Sequence, residues 1–369
     1  MYVAVTKPLF AWDCLQDSPS LGTIRQFLRS IPDAKLLEGL RQHRGRGRND
    51  CPVHVAWGVV LLRIALRHVS VEATLAELGR NEALRRLIGI ETEEGVPKSW
   101  NISRFLDTLG QEPHRSELRR IFDAMVQRLG AAVPDLGHDT AGDSTALHAR
   151  RKGEKAAKAE IAEGLPQPSG GKKEYLDDEG NVTKIIEWFG YKLHLLVDAK
   201  HEVVLAYEVT TANAADCKSL PDLIEQGQAN LPDDRIETLA YDKAADDNES
   251  HRVLNKVCNA GKSYGKTVRV DRTIDLRRFP PIPRATKKFE RLYNGRTSVE
   301  RVNARLKIFW GVDDGNIVGA RRFHAMVGSV MIVHVAFATL LASAPRREGT
   351  LGKLRLGPIQ KALSQQPAA

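Results

Sequence analysis

The sequence predicts an α/β domain, a mixed sheet flanked by helices, preceded by an all-α domain. Two patterns carry this. Up to about residue 130, apolar residues recur at spacings of three and four, as on one face of a helix. From about residue 134 they alternate or run in short apolar blocks, as in strands, before two long helical patterns close the domain. A chain of 369 residues is long enough for two or three domains. The expected division is a helical domain over 1–130, an α/β domain over 131–345 and a flexible tail over 346–369.

In the helical part, Asp33 is placed to cap a helix carrying Leu36, Leu37 and Leu40. An apolar run follows from Val55 to Leu66. Ser70 can cap the next helix, which Gly79 ends, and Asn81 the one after, with Leu84, Leu87 and Ile88 on one face. Ile102, Phe105, Leu106 and Leu109 repeat at helical spacing, and a further helix follows Pro113. Short helices with tight turns suit a helix-turn-helix module and an ordinary bundle equally.

The α/β part opens with a strand over His138–Leu147. A basic excursion, Arg150 to Lys173, reads as a short helix and a flexible loop. Two strands joined by a hairpin come next, one ending near Asp198 and one over Glu202–Thr210. A helix over Ser219–Gln226 leads to a compact strand, Ile236–Asp242. A helix over 246–260 and a last strand over Thr267–Val270 precede the closing helices, about 296–309 and 320–343.

The net charge of +9 favours a polyanionic partner, because each neutralised phosphate releases counterions. The cysteines, Cys14, Cys51, Cys217 and Cys258, form no CxxC pair, which argues against a zinc site and a disulfide framework. No signal-peptide pattern opens the chain, so the expected compartment is the cytoplasm. Phe323–Ser343 is long and apolar enough to raise the question of a membrane span. The reading adopted is a buried helix and no membrane, since the segment holds His324 and His334 and stands alone. Arg41, Arg44, Arg46 and Arg48 are expected in a loop between helices, punctuated by Gly45 and Gly47, where guanidinium forks suit phosphate oxygens.

Three carboxylates stand at informative places: Asp143 in the first strand of the α/β part, Asp242 at the end of a later strand, and Glu300 on the penultimate helix. Phosphodiester chemistry develops charge on both the attacking and the leaving oxygen, and two hard divalent ions on oxygen ligands stabilise both. Around Glu300 the spacing is the most specific feature. At about 100° per residue, Arg296, Glu300 and Lys307 fall within roughly 40° of one another on a helix, with Tyr293 nearby if the helix begins early enough. Arg301 and Arg305 add charge on adjacent faces. Asp139, four residues before Asp143, is a rival for the first position. His194, Trp188 and Trp310 read as structural residues, and Lys192 as able to touch DNA.

The strand and helix order resembles the RNase H-like fold, in which such carboxylates converge on one edge of the sheet. The spacing of Tyr293, Arg296, Glu300 and Lys307 resembles the Y-R-E signature of bacterial insertion-sequence DDE transposases. Asp242 in LAYDKAADD, Asp143 in DSTALHARR and the strand GYKLHLLVD are similar to segments of that family. The resemblance covers about 134–343 and, more loosely, the helical part. It implies an RNase H-like catalytic domain that cleaves element ends and joins the 3′-OH to target DNA. It also implies two Mg²⁺ (or Mn²⁺) ions on Asp143, Asp242 and Glu300. DNA contacts would come from Arg41, Arg44, Arg46, Arg48, Tyr293, Arg296, Arg301 and Lys307. Terminal inverted repeats and target DNA would be the partners, a homodimer or higher oligomer the assembly, and the bacterial nucleoid the location. Departures are Asp-Ser-Thr at the first site, where Asp-Gly-Thr is frequent, and Lys243 where a tyrosine is expected. The interval from Asp242 to Glu300 is too short for the large β-rich insertion of some relatives. A nuclease that cuts without joining, and a silent DNA-binding derivative, are the alternatives.

Overall fold

A computed structural model describes residues 19–46, 51–150, 154–177, 181–232, 234–241, 282, 285–313, 316–344, 349–352 and 355–364. Contacts divide the chain into two units. One comprises Met1–Met125, Lys152–Leu165 and Arg305–Ala369; the other Val126–Arg151 and Pro166–Ala304.

The first unit is helical: α1 (Pro19–Ser30), α2 (Ala34–Arg44), α3 (Val53–Ala65), α4 (Val71–Arg80), α5 (Glu82–Leu87), α6 (Ser99–Leu109), the first part of α7 (His114–Ala132) and α8 (Glu154–Ala162). Local caps form where the side chains allow. Ser70 Oγ accepts from the Ala73 N–H at 3.1 Å and Asn81 Oδ1 from the Leu84 N–H at 3.0 Å. Asp33 stands at the start of α2 but does not cap it. Its buried carboxylate instead accepts the indole N–H of Trp57 at 2.9 Å. A fully buried tryptophan needs that acceptor, and the long-range demand wins over the local one.

Contacts also place the late helix α12 (Ala320–Ala342) in this unit, against α1, α3 and α6, whereas the sequence pattern assigns it to the α/β domain. Its length and apolar character would suffice to cross a membrane, yet 89% of its most apolar window is buried. A helix apolar all round needs neighbours on every side, and Phe27 and Trp310 pack edge-on against Phe337. Its N-terminus is held by Glu160, a buried carboxylate that accepts the Ala320 N–H at 3.0 Å, where the helix dipole favours negative charge. At Gly110 a Cβ would lie 2.1 Å from the Arg321 carbonyl oxygen, so α6 ends where only glycine lets α12 begin. Within the 346–369 segment, expected as a tail, Leu356–Ser364 forms α13, with Ile359 buried against the unit.

His334 lies inside this core at 1% exposure, its ring 5.6 Å from that of Trp310. Burial, aided by the charge of Arg305, holds its pKa down at about 3. A lowered folded pKa means that the unfolded chain binds the proton first as pH falls. Stability from this group is therefore complete above pH 6.5 and is lost toward pH 3, at about 1.4 kcal/mol per pH unit. Denaturation at pH 6.5 and 5 should show His334→Leu losing about 2 kcal/mol less than the wild type over that interval.

The second unit is built on a mixed sheet: β1 (Asp139–His148), β2 (Ser169–Leu176), β3 (Val182–Asp198), β4 (Val204–Thr211) and β5 (Thr238–Ala240). The long β3 pairs antiparallel with β2 along its first half and with β4 along its second; β1 lies antiparallel on its other edge. β5 joins β1 in parallel, Asp139↔Thr238 through Ala141↔Ala240. With α9 (Asp216–Ala229) packed on β3 and β4, this is an RNase H-like arrangement. The β3–β4 hairpin falls where the sequence places it. Buried Asp198 accepts from the Gly137 N–H at 2.6 Å and from the His201 N–H, tying the turn to the start of β1. Residues 169–173, expected as loop, are the first part of β2. Its lysines and glycines belong to an edge strand whose partner half of β3 is exposed, so the apolar alternation that marks a strand is missing. The expected helix over 246–260 and strand over 267–270 lie outside the described residues.

Candidate active site

Asp143 is half-buried in β1, opposite Leu195 of β3. Its Oδ2 accepts from Asn303 Nδ2 at 3.3 Å. Asn303 belongs to α11 (Thr297–Trp310), on a face buried through Ser298, Val299 and Val302. This contact docks the helix on β1. Glu300 is three residues earlier in the first turn of the same helix, and positions three apart are neighbours at about 5–6 Å between Cβ atoms. Glu300 therefore stands one turn before this contact, with its own side chain 47% exposed.

Tyr293 ends α10 (Lys287–Asn294), a separate helix. Gly295 closes α10 by donating to the Leu292 carbonyl, and Arg296 donates to that of Tyr293, so the helix carrying Glu300 starts after Tyr293, close to the expected start at about 296. Tyr293, Arg296 and Glu300 are nevertheless brought together. The Arg296 guanidinium pairs with Glu300 at 2.9 Å and stands 5.7 Å from the centroid of the Tyr293 ring, which stacks on Phe289.

Other expected contacts are engaged within the protein. Arg301 donates to Glu202 Oε1 at 2.7 Å and to Thr297 Oγ1 at 2.9 Å, so it ties α11 to the β3–β4 turn. Glu202 is 4% exposed, and Arg301→Ala strips its ion pair. The variant should lose about 1–3 kcal/mol of stability with DNA affinity unchanged, which chemical denaturation and a filter-binding titration check together. Lys307 pairs with Asp313 at 3.3 Å. Lys192 is tied to Asp216 at 3.0 Å and to the Ala214 carbonyl. His194 is buried and bonded to Thr210 at 2.9 Å, with its pKa pushed down to about 4 by burial. Trp188 donates to the Tyr191 carbonyl, and Trp310 is buried. All three thus make contacts within the protein.

Arg41 and Arg44 lie on the last turn of α2 rather than in a loop. Gly45, with φ of 64°, ends that helix. Arg41 pairs with Glu38 at 3.5 Å, Arg44 donates to the Cys51 carbonyl, and Arg46 is exposed. Arg48 lies outside the described residues, as does Asp242. Asp139 is exposed at the start of β1 and accepts from Thr238 Oγ1 at 2.6 Å. Among the described residues no three of His, Cys, Asp and Glu gather as metal ligands. Asn303 is the site residue that sequence reasoning missed; its signal was its place one turn after Glu300.

The second unit thus has an RNase H-like sheet with Asp143 on β1 in contact with Asn303 of α11. Comparison with known families matches residues 140–336, just over half of the chain, to the transposase DDE domain. The chain belongs to that family, whose members are transposases acting in DNA transposition and recombination. Searches of curated proteins and of solved structures returned no match.

Proposed function

We propose that this transposase cleaves the ends of an insertion sequence and joins the freed 3′-OH to target DNA, with Asp143, Asp242 and Glu300 as its catalytic carboxylates. The observation that carries the reading is the Asn303–Asp143 contact, which sets the Glu300 turn of α11 against β1. The register of the parallel pair supports Asp143 over Asp139. Asp143 lies two residues beyond Ala141, and Asp242 two residues beyond its partner Ala240, whereas Asp139 pairs with Thr238 at the far end. Asp139 also falls just outside the family match.

The donors are carboxylate oxygens with an amide beside them, a hard-oxygen set that suits Mg²⁺ or Mn²⁺ rather than zinc. Two such ions would lower the pKa of the attacking water or 3′-OH and offset charge on the attacking and leaving oxygens. The protein's own groups do the positioning. Asp143 is held by Asn303, and Glu300 by Arg296. Tyr293 and Arg296 present a ring and a fork to the DNA backbone, with Lys307 further along the helix. The helical domain binds the terminal inverted repeats, with Arg41, Arg44, Arg46 and Arg48 on phosphates. The active form is a homodimer or higher oligomer that pairs two ends, working at the nucleoid in the cytoplasm.

The test is a gel assay with labelled element ends and a target plasmid in Mg²⁺. Products in which end and plasmid are covalently joined support the proposal. Cut ends without joined products point to a nuclease, and no cutting at all points to a silent DNA-binding protein.

A further inference from the structure

We propose that Asn303 is a positioning residue of the cation site. Its amide N–H sets the Asp143 carboxylate, and its amide oxygen accepts a hydrogen bond from the water of a hydrated divalent ion. This rests on the active-site reading above. Asn303 is 6% exposed, on the face of α11 that docks on the sheet. Its Nδ2 lies 3.3 Å from Asp143 Oδ2. An ionised carboxylate only accepts, so this contact fixes which end of the amide faces Asp143 and which faces away.

The end facing away is Oδ1, and it is buried without a hydrogen-bond partner among the described residues. A buried amide oxygen left unmet is costly, and such oxygens are satisfied by ordered water where the site is polar. Mg²⁺ sheds its waters reluctantly and keeps several when bound by carboxylates. Those waters are strong donors, and residues that orient a ligand from behind while accepting from bound water tune the affinity of metal sites. One helix therefore supplies both pieces, a carboxylate at Glu300 and an amide one turn on.

Mn²⁺ titration of the full chain without DNA, read by the electron paramagnetic resonance of free Mn²⁺, tests this. Asn303→Leu should weaken binding by about 10–100-fold, while its melting temperature in EDTA is unchanged or raised, because leucine leaves no unmet polar group. Asn303→Ser, which cannot reach Asp143, should show the same loss and serves if the leucine variant does not fold. Asp143→Asn is the control and should lose binding. Wild-type Mn²⁺ affinity in the Asn303 variants beside a defective Asp143→Asn overturns the proposal alone. So does a lowered melting temperature in EDTA with unchanged affinity, which marks a structural amide. Wild-type affinity in Asp143→Asn overturns the active-site reading itself, and this inference with it.

Discussion

Glu300→Gln should bind element ends as tightly as the wild type and join almost none of them. The substitution keeps size and shape and removes only the charge. Glu300 is 47% exposed, and among the described residues its side chain pairs with Arg296 at 2.9 Å, so the fold has little stake in it. The chemistry has a large one. Stabilising two developing oxyanions through bound cations is worth several kcal/mol, so losing one anionic ligand should slow strand transfer by roughly a thousandfold, about 4 kcal/mol. A gel-shift titration with an end fragment and a joining time course on the same preparation separate binding from chemistry. Joining within about tenfold of wild type would remove Glu300 from the catalytic set.

Gly142→Val should cost both stability and joining. A Cβ at residue 142 would lie 2.3 Å from Cδ2 of Tyr241 and 2.4 Å from its Cε2. The ring cannot swing clear freely, because Tyr241 and Leu239 pack against Leu220 and Ile224 of α9. Overpacking of this kind costs about 1–3 kcal/mol, and valine, with two branches, belongs at the upper end. The displaced tyrosine immediately precedes Asp242 and the substituted glycine immediately precedes Asp143. Strain is thus placed between the two aspartates. Urea denaturation gives the stability loss. The double variant Gly142→Val/Tyr241→Ala should recover part of it, a coupling expected only for residues in contact. Additive losses would show that the ring and the glycine do not meet.

What was legible in the sequence was mostly local. The Ser70 and Asn81 caps, the apolar faces of α3 and α6 and the β3–β4 turn depend on residues a few positions apart, and each formed as read. The helix around Glu300 was also readable, expected at about 296–309 and found at Thr297–Trp310. Long-range choices were hidden. Nothing near Asp33 says that its carboxylate serves Trp57, 24 residues away. The apolar character of α12 says that it is buried but not among which helices. Nothing near Arg301 says that it pairs with Glu202, 99 positions earlier. Asp143 was already the preferred reading over Asp139 in the sequence; what the sequence hid is that Asp139 lies opposite Thr238 of β5, whereas Asp143 lies opposite Leu195 of β3.

The most direct test of the central claim uses a pre-cleaved element end bearing a free 3′-OH, a supercoiled target plasmid and Mg²⁺. This bypasses end cleavage and reads only the joining step. The account predicts joined molecules with the wild-type protein and none with Asp242→Ala, which should still shift the end fragment in a binding gel. Joined molecules from Asp242→Ala in Mg²⁺ would contradict it.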